Sequence, residues 1–307
     1  MSGQSPMGPP SAAPPMVSVI MVVFRTGPAL FRSTAAVLAE PLVDEFVIVD
    51  NGSVPEDAAR LRGLAKTEPR VRLLQGHGNV GFARGCNLGA AAATGRWLLA
   101  LNPDAYLRPG CAAALIEGAE GFASPCVVGA RVLNTDGSEQ RGARRGEVTL
   151  LTTLLSLIRL TSVVPALHRY EIHLDAQAPP EGPIAVPTVS GACFAITRRD
   201  FQALGGFDEG YFLHVEDIDL CWRAREAGGS VVFQPKAIAV HEGGASHELA
   251  LKVEWHKGRG LVRYFLKRAN GLPERALALA ASPLIMLASA MRPALRKLSG
   301  PPRGRIR

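Results

Sequence analysis

The chain lacks the short signatures by which several protein classes are recognised. It has no GK[ST] phosphate loop, so nucleoside triphosphate hydrolysis is not favoured. Its five cysteines are odd in number and show no C-x-x-C or Cys/His zinc spacing. Because the cysteines show neither pattern, we predict buried free thiols in a reducing compartment.

Residues 1–15 are rich in Pro, Ser and Gly but lack the pattern of a signal peptide, so we expect a disordered leader.

Acidic residues are scarce in the C-terminal part of the chain. Residues 252–307 contain 13 Lys/Arg against 2 Asp/Glu, whereas the whole chain of 307 residues has a net charge of +7. Such a basic segment suits an anionic partner, either a phosphate-rich membrane surface or a nucleic acid. The length and the 47% of hydrophobic residues are enough for one large domain, or two small ones, with an ample core.

Strand-like and helical segments alternate in the first hundred residues. Helices are predicted at 28–38, at 53–66 and after a glycine-rich loop at 76–85; Ser53-Val54-Pro55-Glu56 is typical of a capping box. Apolar, β-branched runs predict strands at 17–24, 45–50, 71–75 and 97–101. This alternation predicts a doubly wound α/β fold with helices on both faces of the sheet.

The second half of the chain is less regular. Further elements are predicted as a helix at 109–121 and strands at 127–132, 189–197, 231–233 and 237–241. Residues 134–187 break the rhythm, and we predict an insertion over the active edge of the sheet, where specificity usually resides. We expect a catalytic domain at 16–248 and a helical, basic segment at 249–307.

An apolar run interrupts the basic C-terminal segment. Residues 276–291 carry no charge, lie between Arg275 and Arg292, and contain Pro283, which is expected to break the helix. Because a membrane span usually needs about 20 apolar residues, we predict a helix that lies on a membrane surface. The alternative is a helix that packs in the core or in a dimer.

Polar residues follow two of the predicted strands, where ligands bind in such sheets. Asp50 could contact a nucleobase or ribose, or it could satisfy the backbone amides of its own turn. The window 78–87 does not show the G-x-G-x-x-G dinucleotide spacing, so hydride transfer is not favoured. Its glycines still allow close backbone approach to a ligand, and Arg84 could contact a phosphate or a base. The alternative is a plain helix entry.

A candidate cation site follows the strand at 97–101. Asn102 and Asp104 could hold a divalent cation that neutralises a diphosphate, because hard cations prefer oxygen ligands. His241, at the end of a late strand, is a second possible ligand or diphosphate contact. A lone histidine is more often structural, so that alternative stays open.

Three carboxylates open a predicted helix after an aromatic loop. Glu216, Asp217 and Asp219 could be helix N-terminal acids, each stabilised by roughly 0.3–1 kcal/mol. Asp219 fits that interpretation well. Two adjacent carboxylates at a loop-to-helix junction also suit a general base that deprotonates a hydroxyl as it attacks an electrophilic carbon.

The motifs taken in order resemble those of family 2 glycosyltransferases with the GT-A fold, and look most like the rhamnosyltransferase-like branch. The similar segments are VSVIMVVF, VIVDNGS, GNVGFARGCNLG, LLALNPD and SGACFAITRRDFQALGGFDEGYFLHVEDIDLCWRAREAG. The resemblance covers about residues 17–270. It implies a Rossmann-like, nucleotide-binding mixed sheet with helices on both faces, followed by basic and apolar C-terminal helices.

The resemblance also implies roles for single residues. Asp217 matches the family's catalytic base, with Glu216, Trp222 and Arg223 as supporting or acceptor contacts. Asn102 and Asp104 stand at the family's DXD metal motif, and with His241 they would hold the donor diphosphate and a Mg²⁺ or Mn²⁺ ion. The residues that would bind the nucleotide are Phe24, Asp50, Asn51, Asn79, Gly81, Arg84 and Asn87.

The implied activity is inverting transfer of a sugar, with rhamnose as a candidate, from a nucleoside-diphosphate sugar to a hydroxyl of a glycan or polyprenyl-linked acceptor. Cell-envelope polysaccharide synthesis at the inner face of the cytoplasmic membrane would be the setting. No nucleic acid is expected as a partner. The alternative is a non-catalytic nucleotide-sugar-binding or membrane-scaffold protein on the same fold.

Overall fold

The computed structural model describes residues 16–157, 160–243 and 250–298. The leader predicted at 1–15 and residues 299–307 lie outside the described residues. The strands of the described part are β1 (Val17–Val23), β2 (Val43–Asp50), β3 (Val71–Leu74), β4 (Trp97–Leu101), β5 (Ala105–Leu107), β6 (Cys126–Leu133), β7 (Arg144–Arg145), β8 (Ile184–Ala185), β9 (Thr188–Val189), β10 (Cys193–Thr197) and β11 (Ser230–His241). Its helices are α1 (Ala29–Leu38), α2 (Pro55–Thr67), α3 (Phe82–Ala92), α4 (Cys111–Glu117), α5 (Leu150–Leu157), α6 (Leu160–Val163), α7 (Arg198–Ala203), α8 (Glu216–Glu226), α9 (Ala250–Arg268) and α10 (Leu272–Leu298), with a 3₁₀ turn at Pro165–Tyr170.

A mixed sheet forms the centre of the fold. Counted over the described residues it has nine strands, in the order β3-β2-β1-β4-β10-β6-β11-β5, and β8 pairs with β11 outside this path. The pairs among β1, β2, β3 and β4 are parallel, whereas β10 runs antiparallel to β4 and β6. The strand order reverses between β1 and β4, and ligands bind outside the carboxyl ends of the strands at such a point.

Both faces of the sheet are buried, as the apolar runs predict. In β1, Val19 and Met21 face one apolar cluster and Ile20 and Val22 face the other, because successive side chains point to opposite faces. Helices α1, α2 and α4 cover the first face, and α3, α8, α9 and α10 cover the second. The C-terminal helices therefore share a core with the sheet. All five cysteines are free and buried, which confirms the prediction of buried free thiols.

The capping box predicted at the start of α2 is wrong. Val54 is the N-cap residue, no side chain caps the helix, and Pro55 occupies its first turn. The Ser53 hydroxyl is buried without a hydrogen-bond partner. Instead, Asp50 Oδ1 accepts hydrogen bonds from the backbone N–H groups of Gly52 and Ser53. An aspartate turn at the end of β2 therefore binds these amides before α2 begins.

Two late elements also differ from the prediction. The strands expected at 231–233 and 237–241 form one strand of twelve residues, Ser230–His241. Its register shifts between Gln234 and Ile238, where Pro235 cannot donate to the ladder. The helix expected at 109–121 covers only Cys111–Glu117, and it begins after Gly110, whose left-handed backbone (φ 79°) ends the preceding turn.

The insertion at 134–187 folds back onto the sheet edge. Its strand β7 pairs with β9 in a separate two-stranded sheet. Arg144 anchors it from a buried position, donating to Glu139 Oε1 at 2.7 Å and to the Gln177 carbonyl at 2.7 Å. Its guanidinium also stacks 4.9 Å from the ring centroid of Phe233 in β11.

The C-terminal helices pack side by side. Gly258 of α9 lies against Met286 and Ser289 of α10, and a Cβ at this glycine would come within 3.1 Å of each. The predicted break at Pro283 is wrong, because α10 runs through it without interruption. By length and composition Leu272–Pro293, 22 residues with a mean hydropathy of 1.4, could cross a membrane, and little of this stretch is buried.

The exposed side of α10 is apolar. We call it the leucine face; it consists of Leu272, Leu277, Leu279, Leu284, Leu287 and Met291, all exposed. The opposite side of the helix is buried through Ala278, Ile285 and Ala288. The helix therefore packs on the protein through one side and presents leucines on the other.

Candidate active site

A cavity of about 600 Å³ opens where the strand order reverses. Strand ends, the 79–81 loop and the N-terminal part of α9 line it. The lining residues are Val22, Phe24, Thr26, Asn51, Asn79, Gly81, Phe82, Asn102, Pro103, Asp104, Phe212, Leu213, His214, His241, Ala250, Lys252, Val253, Glu254, His256 and Pro293.

Asn51 joins the end of β2 to the glycine-rich loop. Its side-chain amide donates to the Gly81 carbonyl at 3.0 Å and lies 3.4 Å from Asn79 Oδ1. Its Oδ1 lies 3.0 Å from His77 Nε2. Asn79 Oδ1 in turn accepts from the Gly81 N–H at 3.1 Å. This network holds the loop at the cavity wall beside Phe24, which is the arrangement expected of a nucleotide-binding edge.

The glycines of this loop have a spacing that the window 78–87 does not reveal. Gly76-His77-Gly78-Asn79-Val80-Gly81 reads G-x-G-x-x-G between β3 and α3, which corrects the sequence analysis. All three glycines have positive φ angles. A Cβ at Gly81 would lie 2.6 Å from the Phe212 carbonyl oxygen. The glycine-rich loop and the loop that contains Phe212 therefore pack too closely for a side chain at position 81.

Three residues predicted to bind the nucleotide do not line the cavity. Asp50 is occupied by the amides of its turn and by Gln75 Nε2 at 2.7 Å. Arg84 pairs with Glu209 at 3.6 Å on an exposed surface. Asn87 accepts from the Phe207 N–H and donates to its carbonyl. Asp50 and Asn87 thus follow the structural alternative, since local backbone groups use their polar atoms.

Asp104 and His241 meet at the other end of the cavity. His241 Nε2 lies 3.0 Å from Asp104 Oδ1 and 3.4 Å from Asn102 Nδ2. His241 Nδ1 lies 2.7 Å from Gln140 Oε1. The Gln140 amide nitrogen donates to Asn134 and to the His241 carbonyl, which leaves its Oε1 to accept the Nδ1 proton. The structure thus brings all three predicted diphosphate residues together.

This arrangement fits a divalent cation. When His241 Nδ1 donates to Gln140 Oε1, Nε2 lies beside Asp104 Oδ1, and a cation bound by these two atoms would fit there. Among the described residues no group of three or more His, Cys, Asp and Glu side chains could hold a metal ion by itself. Two protein ligands plus phosphate oxygens are the usual way to hold Mg²⁺.

The loop before α8 is strained. His214 and Val215 have φ angles of 67° and 75°, and a β-branched residue rarely adopts such a conformation. Gly260 of α9 permits this turn to pack closely, since a Cβ there would lie 3.0 Å from Val215. Strain of this kind, worth about 1–3 kcal/mol per residue, collects at functional sites. This turn places the first turn of α8, which contains Asp217, beside Arg145 of the insertion.

Asp217 forms an ion pair with the insertion. Its Oδ2 accepts from Arg145 Nη1 at 3.0 Å and from the Gly191 N–H at 3.0 Å, and its Oδ1 accepts from the Ile218 N–H. Burial by itself would raise the pKa of Asp217, but the Arg145 charge and these hydrogen bonds outweigh it and hold the pKa below its usual value. Asp217 is therefore ionised at neutral pH.

Glu216 has the opposite environment. Its side chain is buried, and its Oε2 has no hydrogen-bond partner. Burial, reinforced by the charge of Asp217, raises the pKa of Glu216 well above its usual value. At neutral pH Asp217 is therefore ionised, whereas the adjacent Glu216 is protonated. Such a separation is what general acid–base sites require.

Asp219 and Arg223 have structural positions. Asp219 is fully buried and binds Arg223 Nε at 2.7 Å, Lys267 Nζ at 2.8 Å and the Tyr211 hydroxyl at 3.2 Å. Arg223 also donates to the carbonyl of Gly206. Trp222 packs edge-on against Tyr264. The expected acceptor contacts of Trp222 and Arg223 are not supported by these positions, because other parts of the chain occupy both side chains.

Helix α9 supplies a cavity wall that the sequence analysis missed. Lys252, Glu254 and His256 line the cavity, and the His256 ring stacks 4.6 Å from that of Phe212. From the sequence, this helix was predicted only to belong to a basic C-terminal segment suited to an anionic partner. The alternation of charged and apolar residues from 251 to 268 was its one signal, and it does not specify which partner the charged residues face.

The family model for glycosyl transferase family 2 matches residues 18–205, more than half of the chain. The chain belongs to glycosyl transferase family 2. The matched segment contains Asn51, the 79–81 loop, Asp104 and the whole of the insertion at 134–187. We therefore interpret the cavity and the carboxyl pair Glu216–Asp217 in terms of glycosyl transfer.

Relatives and solved structures agree with this membership. The N-acetylglucosaminyl-diphospho-decaprenol L-rhamnosyltransferase of Mycobacterium tuberculosis is 29% identical over 247 residues, 74% of this chain and 76% of the relative. GalNAc-T7 solved with UDP, GalNAc and Mn²⁺ has a TM-score of 0.61 and 18% identity over 84% of this chain, which spans 48% of that structure. A mannosyltransferase from Pyrobaculum calidifontis with GDP-Man and Mn²⁺ has a TM-score of 0.57 and 16% identity, covering 94% and 77%. These likenesses confirm the predicted GT-A fold.

Proposed function

We propose that the chain transfers a sugar, with rhamnose as the first candidate, from a nucleoside-diphosphate sugar to a hydroxyl of a polyprenyl-linked glycan acceptor, with inversion. The observation that carries this proposal is the cavity that joins the Asn51–Asn79–Gly81 edge to the Asp104–His241 pair. The candidate sugar and acceptor come from the mycobacterial relative's name. Cell-envelope polysaccharide synthesis is the corresponding setting.

The donor would lie along the cavity. Its nucleoside would meet Phe24, Asn51 and Asn79, and its diphosphate would meet Asp104 and His241. A divalent cation held by those two side chains would neutralise the leaving diphosphate. Gln140 fixes the ring of His241 through Nδ1, and so keeps Nε2 directed at Asp104.

Asp217 would act as the general base. It takes the proton of the acceptor hydroxyl, whose oxygen bonds to the anomeric carbon while the bond from that carbon to the diphosphate breaks. The electron pair leaves on the nucleoside diphosphate, so one displacement inverts the anomeric centre. Arg145 and Gly191 keep Asp217 ionised and oriented, and protonated Glu216 beside it adds no competing charge.

The leucine face would place the enzyme on a membrane. Six exposed apolar residues on one side of α10, next to the basic residues of the C-terminal segment, suit the interface of an anionic bilayer. Because the other side of α10 packs on α9, we propose that the helix lies on the surface rather than crossing it. Buried free thiols favour the inner face of the cytoplasmic membrane.

A donor and acceptor panel tests this proposal. The full chain is incubated with dTDP-, UDP- and GDP-linked sugars, Mg²⁺ or Mn²⁺, and a polyprenyl-diphospho-N-acetylglucosamine acceptor. We expect release of the nucleoside diphosphate together with a glycosylated product. Donor binding without transfer to this acceptor or to a membrane extract would favour the non-catalytic alternative.

A further inference from the structure

Several polar side chains of the cavity already have protein partners. The Asn51 amide donates to the Gly81 carbonyl at 3.0 Å. His241 has a partner at each ring nitrogen, and one of these partners is Asp104. His214, which also lines the cavity, differs from them. Within the described part of the chain, neither ring nitrogen of His214 has a hydrogen-bond partner. Its ring is therefore available to a ligand in the cavity.

His214 lies on the segment that joins the nucleotide edge to the proposed base. At the start of this segment the Phe212 carbonyl accepts from the Phe82 N–H at 2.7 Å, which fixes it to the first turn of α3. Three residues after His214, Asp217 Oδ2 accepts from the Gly191 N–H at 3.0 Å. Of the residues that line the cavity, His214 is the one nearest to Asp217 along the chain.

The proposed base is also connected to the diphosphate end of the cavity. Gly191, which donates to Asp217, is followed by Ala192, whose carbonyl accepts from the Asn102 N–H at 2.9 Å. Asn102 Nδ2 in turn lies 3.4 Å from His241 Nε2. In the proposed reaction the anomeric carbon is bonded to the diphosphate and is attacked by the hydroxyl at Asp217. The transferred sugar must therefore lie between the diphosphate residues and the base.

The backbone at His214 is held in an uncommon conformation. Its φ angle of 67° is left-handed, a region that histidine adopts more often than most residues with a side chain. Gly260 of α9 packs against this turn, since a Cβ there would lie 3.2 Å from the His214 carbonyl oxygen. The next residue, Val215, is buried, whereas the His214 side chain is exposed and lines the cavity. Backbone strain of this kind collects at residues that contact ligands.

The His214 ring is uncharged at neutral pH. Desolvation by the surrounding protein, and then the charge of Lys257, lower the pKa of His214 to about 4, although the charge of Asp217 acts in the opposite direction. A neutral imidazole has one N–H donor and one lone pair that accepts. This combination matches a sugar hydroxyl, which also donates and accepts, better than it matches a diphosphate, which only accepts.

We propose that His214 hydrogen-bonds to a hydroxyl of the transferred sugar and so contributes to the choice of donor. This inference rests on the proposed function, because the diphosphate residues and Asp217 define where the sugar lies. The residues matched by the family model, 18–205, do not include His214. Membership of the family therefore leaves the residue at this position unspecified, as expected of a contact that selects one sugar among several.

A binding comparison without acceptor tests this contact in the full chain. Calorimetry with Mg²⁺ compares each nucleoside diphosphate with its sugar-linked form, using dTDP with dTDP-rhamnose, UDP with UDP-N-acetylglucosamine and GDP with GDP-mannose. We expect His214→Gly to weaken binding of the accepted sugar-linked donor about tenfold and to leave the matching nucleoside diphosphate unchanged. Glycine removes the ring and adopts the left-handed backbone without strain. His168→Gln, at an exposed histidine of the 3₁₀ turn, should change neither.

Two further variants identify the nitrogen that makes the contact. His214→Asn places an amide near the position of the ring Nδ1, and His214→Gln places one near Nε2, so one of the two should recover part of the lost affinity. Equal losses for the sugar-linked donor and its nucleoside diphosphate would mean that His214 only shapes the loop, and would overturn the proposal. Unchanged binding in His214→Gly, or a wild type that binds none of the three donors, would overturn it as well.

Transfer assays separate this inference from the proposed function. If His214→Gly transfers the sugar with the donor KM of the wild type, the sugar contact is wrong and the proposed function stands. The expected binding pattern without transfer to any acceptor supports the sugar contact and contradicts the proposed function. A raised KM for the acceptor alone would place His214 at the acceptor and overturn the proposal.

Discussion

Arg145 Nη1 lies 3.0 Å from Asp217 Oδ2, although 72 residues separate the two in the chain. The insertion thereby contributes directly to the environment of the proposed base. Removing the arginine would leave a buried carboxylate whose remaining partners, within the described part of the chain, are the Gly191 and Ile218 amides. We therefore make separate predictions for Asp217 as the base, for its ionisation and for the adjacent Glu216.

Asp217→Asn should keep donor binding and lose turnover. The amide cannot accept the hydroxyl proton, and a positioned general base contributes about 10²- to 10⁴-fold. Donor binding is measured by calorimetry and turnover by nucleoside diphosphate release. Glu226→Gln, at the exposed end of the same helix, serves as control and should retain activity. Near-normal turnover in Asp217→Asn would show that the base is elsewhere.

Arg145→Gln should move the acid limb of the pH–kcat profile to higher pH. In the wild type burial acts to raise the pKa of Asp217, but the Arg145 charge and the hydrogen bonds hold it below its usual value, so the base stays ionised further into the acidic range. Without the arginine, burial remains and raises that pKa, and activity is lost earlier on acidification. The profile of Arg96→Gln, an exposed arginine preceding β4, should equal that of the wild type. An unshifted limb in Arg145→Gln would contradict the role of the ion pair.

Glu216→Gln should remove a pH-dependent loss of stability. Burial and Asp217 raise the pKa of Glu216 from 4.5 to about 8, so between these values the unfolded chain has released a proton that the folded chain keeps. The free energy of unfolding therefore falls as pH rises through this window, by up to about 1.4 kcal/mol per pH unit. Denaturant titrations at pH 5 and pH 8 should show that the variant gains relative to the wild type at pH 8. A constant difference would refute the raised pKa.

Gly81→Ala should cost more stability than Gly78→Ala. Both glycines have positive φ angles, 86° and 67°, so both substitutions introduce backbone strain of about 1–3 kcal/mol. Only at Gly81 would the new Cβ meet an atom, the Phe212 carbonyl oxygen at 2.6 Å, whereas nothing lies within 4 Å at Gly78. Chemical denaturation measures both variants, with donor binding as a second readout. Equal losses would mean that the two loops are not in contact.

The leucine face should determine membrane binding. Changing Leu284 and Leu287 to Glu removes two apolar side chains, each worth about 1.5–3 kcal/mol when buried, and adds negative charge. We expect flotation with anionic liposomes to fall at least about tenfold. The control is Val54→Glu, which changes an exposed apolar residue at the start of α2, on the other face of the sheet. Unchanged flotation would place the membrane contact elsewhere, and salt-sensitive DNA binding without lipid binding would favour a nucleic-acid partner.

Much of the sheet could be predicted because its signals are local. The run Val17–Val23 is buried on both faces, and a β-branched run of this length suits a central parallel strand. Where tertiary packing decides, the predictions failed: two strands were predicted at 231–233 and 237–241, yet pairing with β6 continues on both sides of Pro235. Pro283 likewise leaves α10 intact, since α9 packs along the helix.

Some residues of the candidate site could likewise be predicted from local signals, and others depend on tertiary packing. That Asp104 and His241 lie together could be predicted because the ends of strands meet at one edge of the sheet, whereas Asn51 was implied by the family resemblance alone. The wall formed by Lys252 and His256 depends on how α9 packs, and the sequence of α9 does not specify that. Asp50 was predicted as a ligand contact, but backbone amides one turn away use its carboxylate.

The anomeric configuration of the product tests the account most directly. Wild-type enzyme and the Asp217→Asn variant are incubated with the accepted donor and the polyprenyl-diphospho-sugar acceptor, and the new glycosidic bond is examined by NMR. A single displacement with Asp217 as base predicts a product of inverted configuration that forms at a rate at least about 10²-fold lower in the variant. A product with retained configuration, or one formed equally fast by both proteins, would contradict it.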